Sequence, residues 1–222
     1  MANEVSTSEK LQKENIDNLW KVICMDFVIF NIISSSIDSQ NFLNYIFSKN
    51  LLENSLFKIL TSFFIGLLIV KIFLNIIPAD IKHIIVYGRL KYSLPGHRAF
   101  TEHVNKDPRI DVKNLEKNLG SFPTLPAEQN QLWYRLYQKY KNDEQIIESH
   151  VKFLFFRDGS ILTIFILIAF VVLNLIFKAT IFQWSSTILF ILFQLTIFII
   201  TARNNGNRFV RNVLCQESHQ EK

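Results

Sequence analysis

The chain has 222 residues, 24 Lys and Arg against 19 Asp and Glu, a formal charge of +5 and 49% hydrophobic residues. The two sets are segregated: apolar residues gather at 22–37, 56–77, 161–177 and 188–200, and charges gather between 80 and 158 and at both ends. A water-soluble globule interleaves them at helical or strand spacing, so the pattern excludes a single soluble domain and points to a multi-pass membrane protein with one intervening soluble region.

Residues 1–18 mix acids and bases and read as an exposed cytoplasmic segment without the basic start and cleavage site of a signal peptide. Insertion is therefore expected from the spanning segments themselves. Residues 19–37 form the first expected span. It contains Asp26, and an acid at a bilayer centre costs about 2.5–3.5 kcal/mol on the insertion scale. The stretch reads either as a span whose Asp26 faces other helices or as an interfacial amphipathic helix anchored by Trp20. Residues 56–77 are the second span, with Lys58 and Lys71 placed to snorkel towards the headgroups. Beyond Pro78, Ile81, Ile84, Ile85 and Leu90 alternate with Lys82, His83 and Arg89, which predicts an amphipathic helix running until Pro95 and Gly96 stop it.

The soluble region, 78–158, is expected to be small and mostly helical. Val112 to Leu119 is a predicted helix ended by Gly120. Pro126 suits the first position of the next helix, with Glu128 near the positive end of its dipole. That helix runs to about Tyr140, and Leu132, Trp133, Leu136 and Tyr137 give it a wide apolar and aromatic face, either domain core or partner surface. Asn142 and Asp143 interrupt, and Glu144 to Arg157 is a further helix feeding the third span.

The third and fourth spans, 160–177 and 184–201, carry no Asp, Glu, Lys or Arg, and each suits a crossing of a ~30 Å hydrocarbon core as a helix. Lys and Arg crowd the central region and the tail, 202–222, whereas the links at 38–55 and 178–183 carry one Lys each. The bias of bases towards the cytoplasm puts the central region and both termini inside. The expected fold is thus an all-α membrane protein of four transmembrane helices in two hairpins, with a cytoplasmic domain between the second and third spans, in a bacterial inner membrane.

Motifs for chemistry are sparse. Cys24 and Cys215 have no neighbour at metal-ligand spacing, and His97, His103 and His150 do not pair with Asp107 or Asp111 in a recognised metal motif. No nucleophile elbow, phosphate loop or dinucleotide fingerprint occurs, so neither an enzyme nor a cofactor is expected. The loop 95–111 gathers His97, Arg98, His103, Lys106 and Arg109 near Gly96, a composition suited to an anionic ligand or partner. The plainer reading is a structural loop in which Arg98 and Arg109 pair with Asp107, Asp111 or lipid phosphates. In the tail, Arg203 meets the headgroups or the domain, Phe209 is placed to pack on it, and Arg208 and Arg211 to bind its acids. Within the spans, Asp26, Asn31, Asn174 and Gln194 suit hydrogen bonds between helices, at about 0.6–2 kcal/mol each, or the lining of a pore.

The segments Leu94-Pro-Gly-His-Arg-Ala-Phe-Thr, Asp107-Pro-Arg-Ile-Asp and Glu128-Gln-Asn-Gln-Leu-Trp-Tyr-Arg-Leu-Tyr, with Arg157-Asp158 and the Asn-Gly-Asn-Arg-Phe-Val tail, resemble a group of bacterial inner-membrane proteins. That group is similar to the transmembrane effectors of anti-phage systems such as retrons. The resemblance implies an effector held silent by a cytoplasmic protein or protein–nucleic-acid complex encoded nearby. On release, its spans would oligomerise among the membrane lipids and permeabilise the membrane. It implies no catalytic residues. The rival readings are a membrane scaffold that recruits a soluble enzyme or nucleic-acid complex, and a small channel or transporter.

Overall fold

A computed structural model of the chain describes residues 15, 18, 19, 21, 22, 25, 26, 72, 74–177 and 181–220, with side chains at all of these except 173, 174, 176, 177 and 181–184. Among the described residues every regular element is helical: α1 (Ala79–Tyr87), a 3₁₀ turn (Pro95–Arg98) continued by a wider π-type turn (Ala99–His103), α2 (Val112–Leu119), α3 (Pro126–Tyr140), α4 (Glu144–Phe177) and α5 (Ile181–Ser218). The chain divides into two compact units, one formed by Met1–Pro78 with Asp158–Thr196 and the other by Ala79–Arg157 with Ile197–Lys222.

Local chemistry sets the helix limits. Asp111 caps α2 by accepting from the Asn114 amide at 3.0 Å, and Gly120 ends it with φ at +82°. Asp143 caps α4 in the same way, accepting from the amides of Gln145 at 2.9 Å and Ile146 at 3.2 Å. Pro126 occupies the first turn of α3, where its missing N–H costs nothing. The amphipathic helix after Pro78 stops at Tyr87 instead of running on to Pro95. Gly88 takes φ +68° and donates to the Ile84 carbonyl at 2.7 Å, which closes the helix.

The unit of 79–157 and 197–222 has its own core, in which Phe100, Val104, Leu115, Trp133, Leu136 and Ile146 pack with Phe209, Val210, Val213 and Leu214. The tail therefore belongs to this unit as helix. Residues 209, 210, 213 and 214 recur at helical spacing, so extending α5 to Ser218 buries them on one stripe. The end of α5 is tied down by side chains. Asn114 donates to the Ser218 carbonyl at 2.7 Å, Asn118 donates to the Gln220 carbonyl at 3.0 Å, and the buried Glu217 accepts from Lys139 at 2.8 Å and Tyr140 Oη at 2.7 Å. The two asparagine contacts occupy carbonyls at and just beyond the helix end, which a helix leaves open.

Two helices, not four, are long and apolar enough to cross a membrane among the described residues: Glu144–Val172 within α4 and Ser185–Ser218 within α5. Only 33% and 28% of their apolar windows are buried, whereas a core helix of a soluble domain is covered on most sides. Ile168, Leu175, Leu189 and Phe193 point outward at 54–67% exposure. The expected spans at 19–37 and 56–77 lie for most of their length outside the described residues. In the unit that contains most of the apolar windows, Gln194 Nε2 donates to both carboxylate oxygens of buried Asp26 at 3.0 Å, and Asn15 Nδ2 donates to buried Asp158 at 2.9 Å. Asn31 lies outside the described residues, as does the side chain of Asn174.

Candidate anion-binding site

The loop 95–111 is held by α3. Gly96 sits against that helix so closely that a Cβ would collide with Asn130 and reach within 2.8 Å of the Trp133 ring, which makes the position one for glycine. Gln129, 1% exposed, braces the next turn. Its Oε1 accepts from the amides of Phe100 at 3.1 Å and Thr101 at 3.3 Å, and its Nε2 donates to the Thr124 carbonyl at 3.0 Å. The turn Ala99–His103 then aims Glu102 and His103 to the same side as Arg98.

That side opens on a cavity of about 350 Å³. Arg98, Glu102, His103 and Lys106 line it from the loop, and Tyr87 and Arg89 from the end of α1. Arg203, Asn204, Asn207 and Arg211 complete it from α5, where 203, 207 and 211 recur every fourth residue and so share a face. Five cationic side chains thus meet a single carboxylate. Glu102 is shared, lying 3.5 Å from Arg98 Nε and 3.6 Å from Lys106 Nζ. Arg211 Nε reaches only to 4.0 Å from Asp107, whose carboxylate is already engaged by Arg109.

Tyr87 Oη, His103 Nε2, Arg98 Nε and Arg211 Nε are closed off from water within these walls. The first two have no hydrogen-bond partner, and the two arginine nitrogens stand 3.5 Å from Glu102 and 4.0 Å from Asp107. A buried polar group without a partner costs about 1–3 kcal/mol. Burial pushes the Tyr87 phenol above its ordinary range, against the opposing pull of Arg98, Arg203 and Arg157. Burial also lowers the His103 imidazole to about 4, and Arg98, Lys106 and Arg211 act in the same direction while Glu102 opposes them. Tyr87 and His103 are thus neutral near pH 7, and the cavity's charge comes from its guanidinium and ammonium groups. Arg98, with its side chain 13% exposed, is itself pressed downward by burial and by Arg89.

The residues singled out in the loop part company here. Arg98, His103 and Lys106 line the cavity. Arg109 does not: it makes a two-pronged pair with Asp107 at 3.0 and 2.8 Å and donates to Asn212 at 3.0 Å. His97 turns to the Leu94 carbonyl at 3.2 Å and packs on Tyr92. In the tail, Arg203 donates to the Val86 carbonyl, Arg208 is exposed away from the cavity, and Phe209 stacks on His150 with centroids 4.6 Å apart. On α3, Trp133 and Leu136 are buried, and Leu132 and Tyr137 are partly so. Sequence reasoning missed Tyr87, Arg89, Glu102, Asn204 and Asn207. The four-residue recurrence of 203, 207 and 211 was the signal available for the α5 wall.

Comparison with protein-family models, with curated proteins and with solved structures found no match to this chain.

Proposed function

We infer that this protein is a membrane-embedded effector of a bacterial anti-phage defence system, controlled through the cationic cavity of its soluble unit. A phosphate-bearing anion in the cavity would let a cytoplasmic partner hold the spans silent, and the partner's departure would let them associate and breach the inner membrane. One observation carries the reading. The helix α5 includes a stretch apolar enough to cross a membrane and also supplies Arg203, Asn207 and Arg211 to a cavity of uncompensated positive charge. A membrane protein with no use for an anion has no need to gather Arg89, Arg98, Lys106, Arg203 and Arg211 around one carboxylate, since like charges so placed repel.

In this reading the chain crosses the membrane four times, with both termini and the unit of 79–157 and 197–222 in the cytoplasm. Cysteine placed at Asn44 should then be labelled from the outside only; labelling from the cytoplasmic face alone would overturn the four-span arrangement. The function is tested by inducible expression with a membrane-potential dye. Expression of the chain alone should depolarise the cell, and co-expression with the adjacent genes should prevent it. Polarised, growing cells in both cases would favour a membrane scaffold instead.

A further inference from the structure

We propose that the cavity takes a pyrophosphate-bearing ligand: two or more linked phosphoryl groups on a compact molecule, not the spaced single phosphates of a nucleic-acid strand. The proposal rests on the anion-binding reading of the same cavity and narrows its ligand.

Three features of the wall argue for linked phosphates. The first is charge. Five cationic side chains against Glu102 leave a surplus that a singly or doubly charged anion does not match, whereas a diphosphate or triphosphate brings several negative charges into one small volume. Guanidinium groups suit such a ligand because each presents a planar fork of donors to phosphate oxygens. The second is size and distribution. About 350 Å³ lies at the small end of the range for small-molecule sites. The five cations share this one small space, whereas a protein that tracks a strand backbone spreads them along a groove.

The third is the pair of carboxamides, Asn204 and Asn207, on the α5 wall. Their N–H groups donate to phosphate oxygens without adding repulsion among the neighbouring guanidinium groups, and their oxygens accept from whatever the phosphates are attached to. Linked phosphates of this kind come from two sources, a soluble nucleoside di- or triphosphate or a lipid whose headgroup carries a diphosphate, and the chemistry of recognition is shared.

The test uses the full chain in phosphatidylcholine nanodiscs, titrated calorimetrically with inorganic pyrophosphate, ATP, orthophosphate and a single-stranded oligothymidylate. Pyrophosphate or ATP should bind at least about tenfold more tightly than orthophosphate, since the second phosphoryl group gains its own charge-assisted contacts. Arg98→Gln and Arg211→Gln should each weaken that binding by roughly 30-fold or more, as loss of one member of a desolvated charge pair does. Arg208→Gln, an exposed change outside the cavity, should leave it unaltered and certifies the fold of the preparation. Repeating the titration in discs doped with a diphosphate lipid, cytidine diphosphate diacylglycerol, separates the sources. A weaker apparent affinity there assigns the site to the headgroup, and an unchanged one assigns it to the soluble ligand. Equal affinity for orthophosphate and pyrophosphate, or Arg98-dependent binding of the oligothymidylate alone, would overturn the ligand assignment and leave the anion site standing. Failure of every anion to bind would remove both.

Discussion

Gln129 is the side chain on which the cavity's loop wall depends, and replacing it by Met tests that dependence. Met has nearly the same length and shape but neither accepts nor donates in the same way. The change strands the buried amide of Phe100 and the part-buried amide of Thr101, and it removes the donor to the Thr124 carbonyl. A stranded buried amide costs about 1–3 kcal/mol. The Phe100 amide should lose close to the full amount and the Thr101 amide less; the Thr101 hydroxyl, which also donates to Gln129 Oε1 at 3.3 Å, belongs to an exposed residue and should lose little. The sum is about 2–4 kcal/mol. For a unit of this size each kcal/mol lowers the melting temperature by about 4–8 °C, so a fall on the order of 10 °C or more is expected. Trp133, in the core of the same unit, contributes an intrinsic fluorescence signal for following the transition in detergent. A shift of under about 2 °C would mean that the turn Ala99–His103 holds its shape without Gln129, and the reasoning would fail.

Other substitutions probe the same unit. Trp133→Ala removes a ring that meets Phe209 edge-on at 5.2 Å and stacks on Tyr137 at 5.9 Å; it should cost about 3–5 kcal/mol, and normal protease resistance in that variant would place the ring at a partner surface. Gly206→Ala drives a Cβ into Tyr87 Oη and to 3.0 Å from Phe153, an overpacking worth about 1–3 kcal/mol. Much of that loss should return in the Gly206→Ala, Tyr87→Phe double variant, as read by thermal unfolding. For His103, whose imidazole is lowered from 6.5 to about 4, the unfolded chain takes up the proton first as the pH falls. The stability that depends on the neutral ring is therefore complete above about 6.5 and is lost on the way down to about 4. His103→Gln should flatten that part of a plot of urea midpoint against pH, and an unchanged slope would contradict burial of the ring.

The helices of the soluble unit were legible where single residues dictate them. Pro126 and Gly120 act within a turn of the positions they control, so their effect can be read from neighbours in sequence, whereas Asp111, read as a partner for arginines, turns out to cap α2. The apolar segregation at 160–177 and 184–201 was legible for the same reason. The length of α1 was not, because Gly88 within an apparently periodic stretch could either continue a helix or close it, and its positive φ decided the matter. The site was legible by halves. Arg98, His103 and Lys106 drew notice as a cluster in one loop, and Arg203 and Arg211 drew notice in the tail as partners for acids. Their meeting depends on α5 packing against that loop across a long stretch of chain, which no local spacing encodes. Arg211 does meet an acid, Asp107, but only at 4.0 Å, because Arg109, two residues from Asp107, holds that carboxylate at 2.8 Å. The same proximity removed Arg109 from the anion cluster.

The central claim is that the cavity's positive charge controls the membrane action of the spans, and one measurement addresses it directly. Arg98→Glu together with Arg211→Glu reverses two charges of the cavity while leaving the apolar stretches 160–177 and 184–201 untouched. The double variant and the parent chain are each induced beside the adjacent genes, with membrane potential followed by dye and insertion checked by fractionation. The parent should stay silent. The double variant should insert normally and depolarise the cells, because the reversed cavity no longer takes the anion through which the partner holds the spans. Silence of a normally inserted double variant, with its association with every neighbouring gene product intact, would contradict the claim.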